Sequence, residues 1–265
     1  MDASRASALL EQGAAHFGLD PSRAVPLGGM TGQVFALDDV VLRVGWPGVL
    51  DLEALAAAAG AAVVPVPAVL GRYDGAEGSV VLLPRIDAPT AATLTGLDTA
   101  SARRRGAACG RMQLALGEVP APAGLPVLGP EGAGARLLHL DLHPLNVLVA
   151  ADGEVAAVLD WTNAAAGPPE YDRARTASIL LLDPVAIALR VDPTWVAFVD
   201  GWSEAAALDD LPPAATAWAC RYMLADLAGR YTEQELGHVQ AALGAAVDAA
   251  GDSDGRSVAG ATALP

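Results

Sequence analysis

Residues 139–149 read His-Leu-Asp-Leu-His-Pro-Leu-Asn-Val-Leu-Val, and residues 159–161 read Leu-Asp-Trp. Asp141 follows a strand-like run and precedes Pro144, which places it in a loop, because a proline keeps the residue before it out of helical geometry. Residues 147–150 and 155–159 are β-formers separated by Asp152-Gly153, a strong hairpin-turn signal. A short hairpin closes its two ends on each other. Asn146 and Asp160 flank this one, so they are expected within reach of a common point.

Two oxygen ligands presented in this way suit magnesium, which keeps several waters and completes its shell with substrate phosphates. Asp141 is then left to orient an incoming hydroxyl. Phosphoryl transfer asks for little more than a metal on the phosphates, an acid that positions the nucleophile, and cover from water. A rival reading comes from His139, Asp141 and His143, which alternate and on a strand would share one face, like the ligands of a metal-dependent hydrolase. The chain holds four histidines, and His16 and His238 stand in unrelated contexts, so a dinuclear His-rich centre is hard to assemble.

Outward from this segment, the N-terminal part alternates strand patterns with one helix. Residues 3–16 predict an amphipathic helix, and residues 28–37 and 40–44 two strands around Asp38-Asp39. Asp51 is expected to cap a helix that starts near Leu52 and runs through the alanines to Gly60. Pro65 and Pro67 enforce extended chain, and residues 66–70 and 79–83 predict a second strand pair across Asp74-Gly75. The remainder is mostly helical: residues 99–116 behind the cap Asp98, then, past a Pro/Gly-rich connection at 119–134 and the hairpin, helices near 170–182, 193–207, 214–230 and 233–250. Residues 251–265 are rich in Gly, Ser and Ala and are expected to fray.

The segment from His139 to Asn146 resembles the catalytic loop of the aminoglycoside phosphotransferase family, with its choline-kinase-like relatives, in which the motif runs roughly H-G-D-x-H-x-x-N. Asp160-Trp161 resembles that family's metal-binding Asp and the Trp after it, and residues 167–172, Gly-Pro-Pro-Glu-Tyr-Asp, its G-x-P-x-x-D. The resemblance implies an α+β, two-lobed protein-kinase-like fold, with a small β-rich N-lobe over residues 1–87 and a larger, mostly helical C-lobe over residues 88–265. It implies Asp141 as catalytic base, Asn146 and Asp160 as ligands of Mg2+, Asp172 as a brace of the fold, and ATP or GTP as co-substrate. In the N-terminal part, residues 27–35, Leu-Gly-Gly-Met-Thr-Gly-Gln-Val-Phe, look like the loop over the nucleotide phosphates, with Gly28, Gly29, Thr31 and Gly32 as its contacts. Arg43 in Val-Leu-Arg-Val takes the place of the kinase lysine, and Glu53 that of its partner acid. Residues 80–87 resemble the strand and hinge between the lobes, with Leu83 and Arg85 beside the nucleotide. Three departures stand out: Leu140 replaces the small Gly of H-G-D, Met112-Gln113 stands where the helix before the catalytic loop customarily has Leu-His, and the connection from there is short; the chain also contains no lysine.

Charge narrows the partners. With 31 acidic and 16 basic residues the formal net charge is -15, which disfavours a nucleic-acid backbone or an anionic membrane surface. Residues 170–265 hold 14 acids and six arginines, and by the family resemblance this region helps form the acceptor cleft. Glu204, Asp209, Asp210, Asp226, Glu233 and Glu235 are the candidates there to attract a small, hydroxylated, amine-bearing acceptor. Cys109 and Cys220 have neither metal-site spacing nor a disulfide framework, and no basic-then-apolar signal pattern opens the chain, so a cytoplasmic kinase of small molecules is expected. The non-enzymatic alternative is a degenerate kinase-like protein that binds nucleotide without turnover, motivated by Arg43 and Leu140.

Overall fold

A computed structural model describes residues 1–27, 33–129 and 135–253. Helix α1 (Ala3–His16) begins at Asp2, whose carboxylate accepts the Arg5 N–H. Its apolar stripe of Ala6, Leu9, Leu10 and Ala14 packs on Leu37, Leu42, Val44 and Val80 of a five-stranded antiparallel sheet. That sheet comprises β1 (Val25–Pro26), β2 (Val34–Leu37), β3 (Val40–Gly45), β4 (Gly71–Gly75) and β5 (Gly78–Pro84), in the order β1-β2-β3-β5-β4. Helix α2 (Pro47–Gly60) lies between β3 and β4 in the chain.

Two expectations are corrected here. Helix α2 starts at Pro47 rather than Leu52, because a proline in the first turn has its φ preset and gives up an N–H that would lack a partner anyway. Asp51 therefore sits inside the helix, and its carboxylate holds Arg72 at 2.5 Å. The strand expected at 66–70 forms instead at Gly71–Gly75, with Gly75 opposite Gly78 and the turn at Ala76-Glu77. Polar side chains organise this edge: Arg72 bridges Asp51 and Asp74, while the apolar Val69 and Leu70 stay exposed.

The larger lobe contains α3 (Thr99–Leu116), β6 (Arg136–Leu138), β7 (Val147–Val149), β8 (Val155–Val158), β9 (Ala165–Gly167), α4 (Pro169–Leu182), α5 (Pro184–Ala188), α6 (Pro193–Ala206), α7 (Pro213–Leu227) and α8 (Gly237–Ser253). Strands β6 and β9 pair antiparallel, as do β7 and β8. The sequence did not announce β9, because Ala165, Ala166 and Gly167 carry no β-forming side chain; its pairing partner makes it a strand. Helices α3 and α6 approach backbone to backbone. A Cβ on Gly106 would lie 1.9 Å from the Phe198 carbonyl oxygen, so no larger residue fits. Trp195, Phe198 and Trp202 of α6 fill the core beside this contact. Both cysteines are buried and free, and burial pushes the Cys109 thiol up to about 12. No helix among the described residues is long and apolar enough to cross a membrane.

Candidate active site

The loop after β6 is built on a buried carboxylate. Asp172, in the first turn of α4, accepts the backbone N–H of His139 at 2.8 Å and of Leu140 at 2.7 Å on its Oδ1. Its Oδ2 accepts from Gln113 Nε2 at 3.2 Å. Gln113 also donates to Thr176 Oγ1 at 2.8 Å and accepts the Trp202 indole N–H at 2.9 Å. Thr176 passes the chain on to the Leu142 carbonyl at 2.9 Å. Every member of this network has a partner, as a polar group in a core requires. Gln113 is thereby fully engaged as a brace between Asp172, Thr176 and Trp202.

Leu140 adopts φ +59°, the left-handed region where glycine is at ease. This turn buries Leu140 against Leu138 and Ala165 and leaves the Asp141 side chain about a quarter exposed. Packing holds the strained residue in place. His139 is fully buried: its Nε2 pairs with the Leu159 carbonyl at 3.0 Å and its Nδ1 accepts the Asp141 N–H at 3.3 Å. Both ring nitrogens are thus used on backbone, which removes His139 from any shared metal face with Asp141 and His143 and closes the hydrolase reading. Among the described residues no cluster of three or more His, Cys, Asp or Glu could hold a metal by itself.

The β7–β8 hairpin does what its turn predicted. The Leu159 N–H donates to the Asn146 carbonyl at 2.9 Å, so the chain entering the hairpin meets the chain leaving it. Asn146 Nδ2 donates to the Asp141 carbonyl at 3.0 Å and lies 3.5 Å from Asp141 Oδ2. That orientation leaves the amide oxygen of Asn146 without a hydrogen bond among the described residues. Asp160 also sits at positive φ, +57°, which an Asp tolerates better than most residues. One amide oxygen and one part-exposed carboxylate are the hard donor set that magnesium takes alongside phosphate oxygens. His143 lies 3.8 Å from Asp141 Oδ2. Burial, the main cause, lowers its pKa although Asp141 pulls the other way, so its imidazole is neutral at neutral pH.

Arg43 reaches this point from the sheet. Its Nη2 donates to Glu53 Oε1 at 2.6 Å and its Nε lies 3.3 Å from Oε2, a fork on a carboxylate that a lysine could not make. The same Nη2 donates to Thr162 Oγ1 at 3.0 Å and stands 4.0 Å from Asp160 Oδ1. Burial works against the charge, but the bond and charge of Glu53, with Asp160 behind, outweigh it and raise the Arg43 pKa. Below the pair, Gly60 closes α2 on the Trp161 ring, where a Cβ would come within 2.3 Å. Trp161 in turn packs on the His139 ring, 4.8 Å between centroids.

Gly28, Gly29, Thr31 and Gly32 lie outside the described residues. Leu83 sits in β5 opposite Val41. Arg85 follows the strand, with its N–H on the Asp39 carbonyl at 2.8 Å and its guanidinium 3.3 Å from the Asp38 carbonyl. Of the acids expected at the acceptor side, Glu204 pairs with Arg103 on α3, Glu235 accepts from Thr232, and Asp209, Asp210 and Glu233 are solvent-exposed. Asp226 differs: its Oδ2 takes Arg175 at 3.1 Å and Arg230 at 3.2 Å. Arg175 stacks over the Tyr222 ring at 4.6 Å. Burial, the main cause, raises the Tyr222 pKa, while the Arg175 charge beside it pulls the other way. Sequence reading missed Thr162, Arg175 and Tyr222; a hydroxyl directly after Asp160-Trp161 was the one visible signal among them.

Residues 125–218 match the family model of the phosphotransferase enzyme family, APH. A thermostable mutant of aminoglycoside phosphotransferase APH(4)-Ia, solved with AMP-PNP and hygromycin B, superposes with a TM-score of 0.55 at 17% identity, over 91% of this chain and 98% of that one. APH(3'')-Id from Streptomyces rimosus, solved with ADP and streptomycin, gives 0.52 at 18% identity over 77% and 97%. A macrolide 2'-phosphotransferase type I gives 0.50 at 17% identity over 92% and 98%. A search of curated proteins gives no match. The chain thus has the two-lobed kinase-like fold of the aminoglycoside phosphotransferases, and the segment that holds Asp141, Asn146 and Asp160 lies within the part that matches the phosphotransferase family model.

Proposed function

We propose that this protein transfers the γ-phosphate of ATP or GTP to a hydroxyl of a small, amine-bearing acceptor. The observation that carries the reading is the closing of the hairpin beside Asp141: the Leu159 N–H, next to Asp160, donates to the Asn146 carbonyl at 2.9 Å, and the Asn146 amide donates to the Asp141 carbonyl at 3.0 Å. Asp141 orients the acceptor hydroxyl and takes its proton as the new bond to phosphorus forms and the bond to the departing diphosphate breaks. Asn146 and Asp160 would hold Mg2+, which when bound neutralises the phosphate oxygens. Arg43, held by Glu53, positions the phosphates, Gly28, Gly29, Thr31 and Gly32 cover them, and Leu83 and Arg85 flank the base at the hinge. The lobes divide near residues 87 and 88.

The amine-bearing acceptor rests on charge and likeness together. The chain carries a formal net charge of -15, which attracts a cationic acceptor, and two of the solved structures above hold hygromycin B or streptomycin. A panel of hydroxylated small molecules, offered with each nucleotide and followed by mass, tests the proposal. Phosphorylation of at least one amine-bearing compound supports it, and transfer confined to neutral or anionic compounds overturns the acceptor assignment while leaving the reaction in place.

A further inference from the structure

Thr162 is a half-buried hydroxyl placed where both lobes meet, and its surroundings exceed what a turn residue needs. Its Oγ1 accepts from Arg43 Nη2 at 3.0 Å and lies against two carboxylates: Glu53 Oε1, on α2, and Asp160 Oδ1 at 2.6 Å. A hydroxyl has one proton to give, so it serves one carboxylate at a time while Arg43 satisfies the other. Asp160 stands at positive φ, and the Thr162 hydroxyl is its one side-chain hydrogen-bond donor among the described residues.

We propose that Thr162 is a positioning residue for phosphoryl transfer: its hydroxyl turns Asp160 so that Oδ2 faces the phosphate side, and ties that carboxylate across the lobes to Arg43 and Glu53. The inference rests on the reading of Asp160 as a magnesium ligand. Without the hydroxyl, Asp160 is free to rotate onto Arg43, 4.0 Å away, and the metal loses an oriented oxygen. The Arg43–Glu53 pair needs no Thr162 to persist, since its own two contacts remain. The effect is therefore specific to magnesium and not to the nucleotide alone.

Calorimetry with a nonhydrolysable ATP analogue, with and without magnesium, tests this on the full chain. Thr162→Val is expected to weaken binding of the magnesium complex about tenfold and to leave magnesium-free binding within about twofold. Thr162→Ser, which keeps the hydroxyl, is expected to bind as the parent does, and Thr162→Ala gives the same contrast as Val should the valine disturb packing. Equal weakening with and without magnesium, or no weakening in either variant, overturns the inference. Asp160→Ala run beside them separates the two levels: if it too shows no magnesium-dependent change, the metal assignment itself fails.

Discussion

Asp172 Oδ1 holds the backbone N–H groups of His139 and Leu140 at 2.8 and 2.7 Å, so the residue just before Asp141 is anchored by a carboxylate buried in α4. In the role proposed for Asp141 as base, the geometry is sensitive to small displacements. The anchor therefore bears on rate as well as on stability.

Replacing Asp172 by Ala leaves two buried N–H groups and the Gln113 amide short of an acceptor. We expect about 3 kcal/mol of lost stability in urea unfolding together with reduced kcat. Gln113→Leu strands the Trp202 indole and one Asp172 oxygen and is expected to cost about 2 kcal/mol. Wild-type unfolding midpoints in both variants would contradict the brace.

Leu140 separates strain from packing. Leu140→Ala loses the buried side chain and keeps the left-handed backbone, whereas Leu140→Gly loses the same packing and relieves the backbone. The glycine variant is expected to be the more stable of the two by about 1 kcal/mol, measured in the same denaturant series. An alanine variant as stable as the glycine one would mean that the turn carries no strain.

These two sites also show what the sequence could tell. The hairpin and the helix cap at Asp98 were legible because turn chemistry, capping and β-formers act locally over a few residues, and the hairpin is what brings the chain on either side of Asn146 and Asp160 together. Gln113 and Leu140 looked like defects in the sequence, since their compensation comes from Trp202, Ala165 and Asp172, distant in the chain. The strand at Gly71–Gly75 was misplaced because Arg72 and its two acids order an edge that apolar patterning does not mark, whereas the start of α2 was misplaced because Asp51 offered a stronger cap signal than the Pro47 that opens the helix.

Arg43→Ala is expected to raise the nucleotide KM by about tenfold or more, and Glu53→Gln by less, because the amide still accepts one bond from the guanidinium. Arg43→Lys should resemble the alanine variant more than the parent, since an ammonium cannot reproduce the fork on Glu53. Steady-state kinetics with nucleotide varied decides this, and unchanged KM values would remove Arg43 from the nucleotide site.

Gly106→Ala forces a methyl group into the Phe198 carbonyl, 1.9 Å from where its Cβ must lie. Helices α3 and α6 would have to separate. A loss of more than about 2 kcal/mol is expected in thermal or urea unfolding, and a neutral effect would show that the two backbones are not in contact.

In the proposed reaction Asp141 acts on the acceptor and not on the nucleotide. Single-turnover phosphate transfer by Asp141→Asn to an accepted hydroxyl compound, measured beside calorimetric binding of the magnesium-nucleotide complex, tests it most directly. Transfer is expected to slow by about 100-fold or more, with nucleotide affinity within about twofold of the parent. Transfer at the parental rate, or loss of nucleotide binding in that variant, would contradict it.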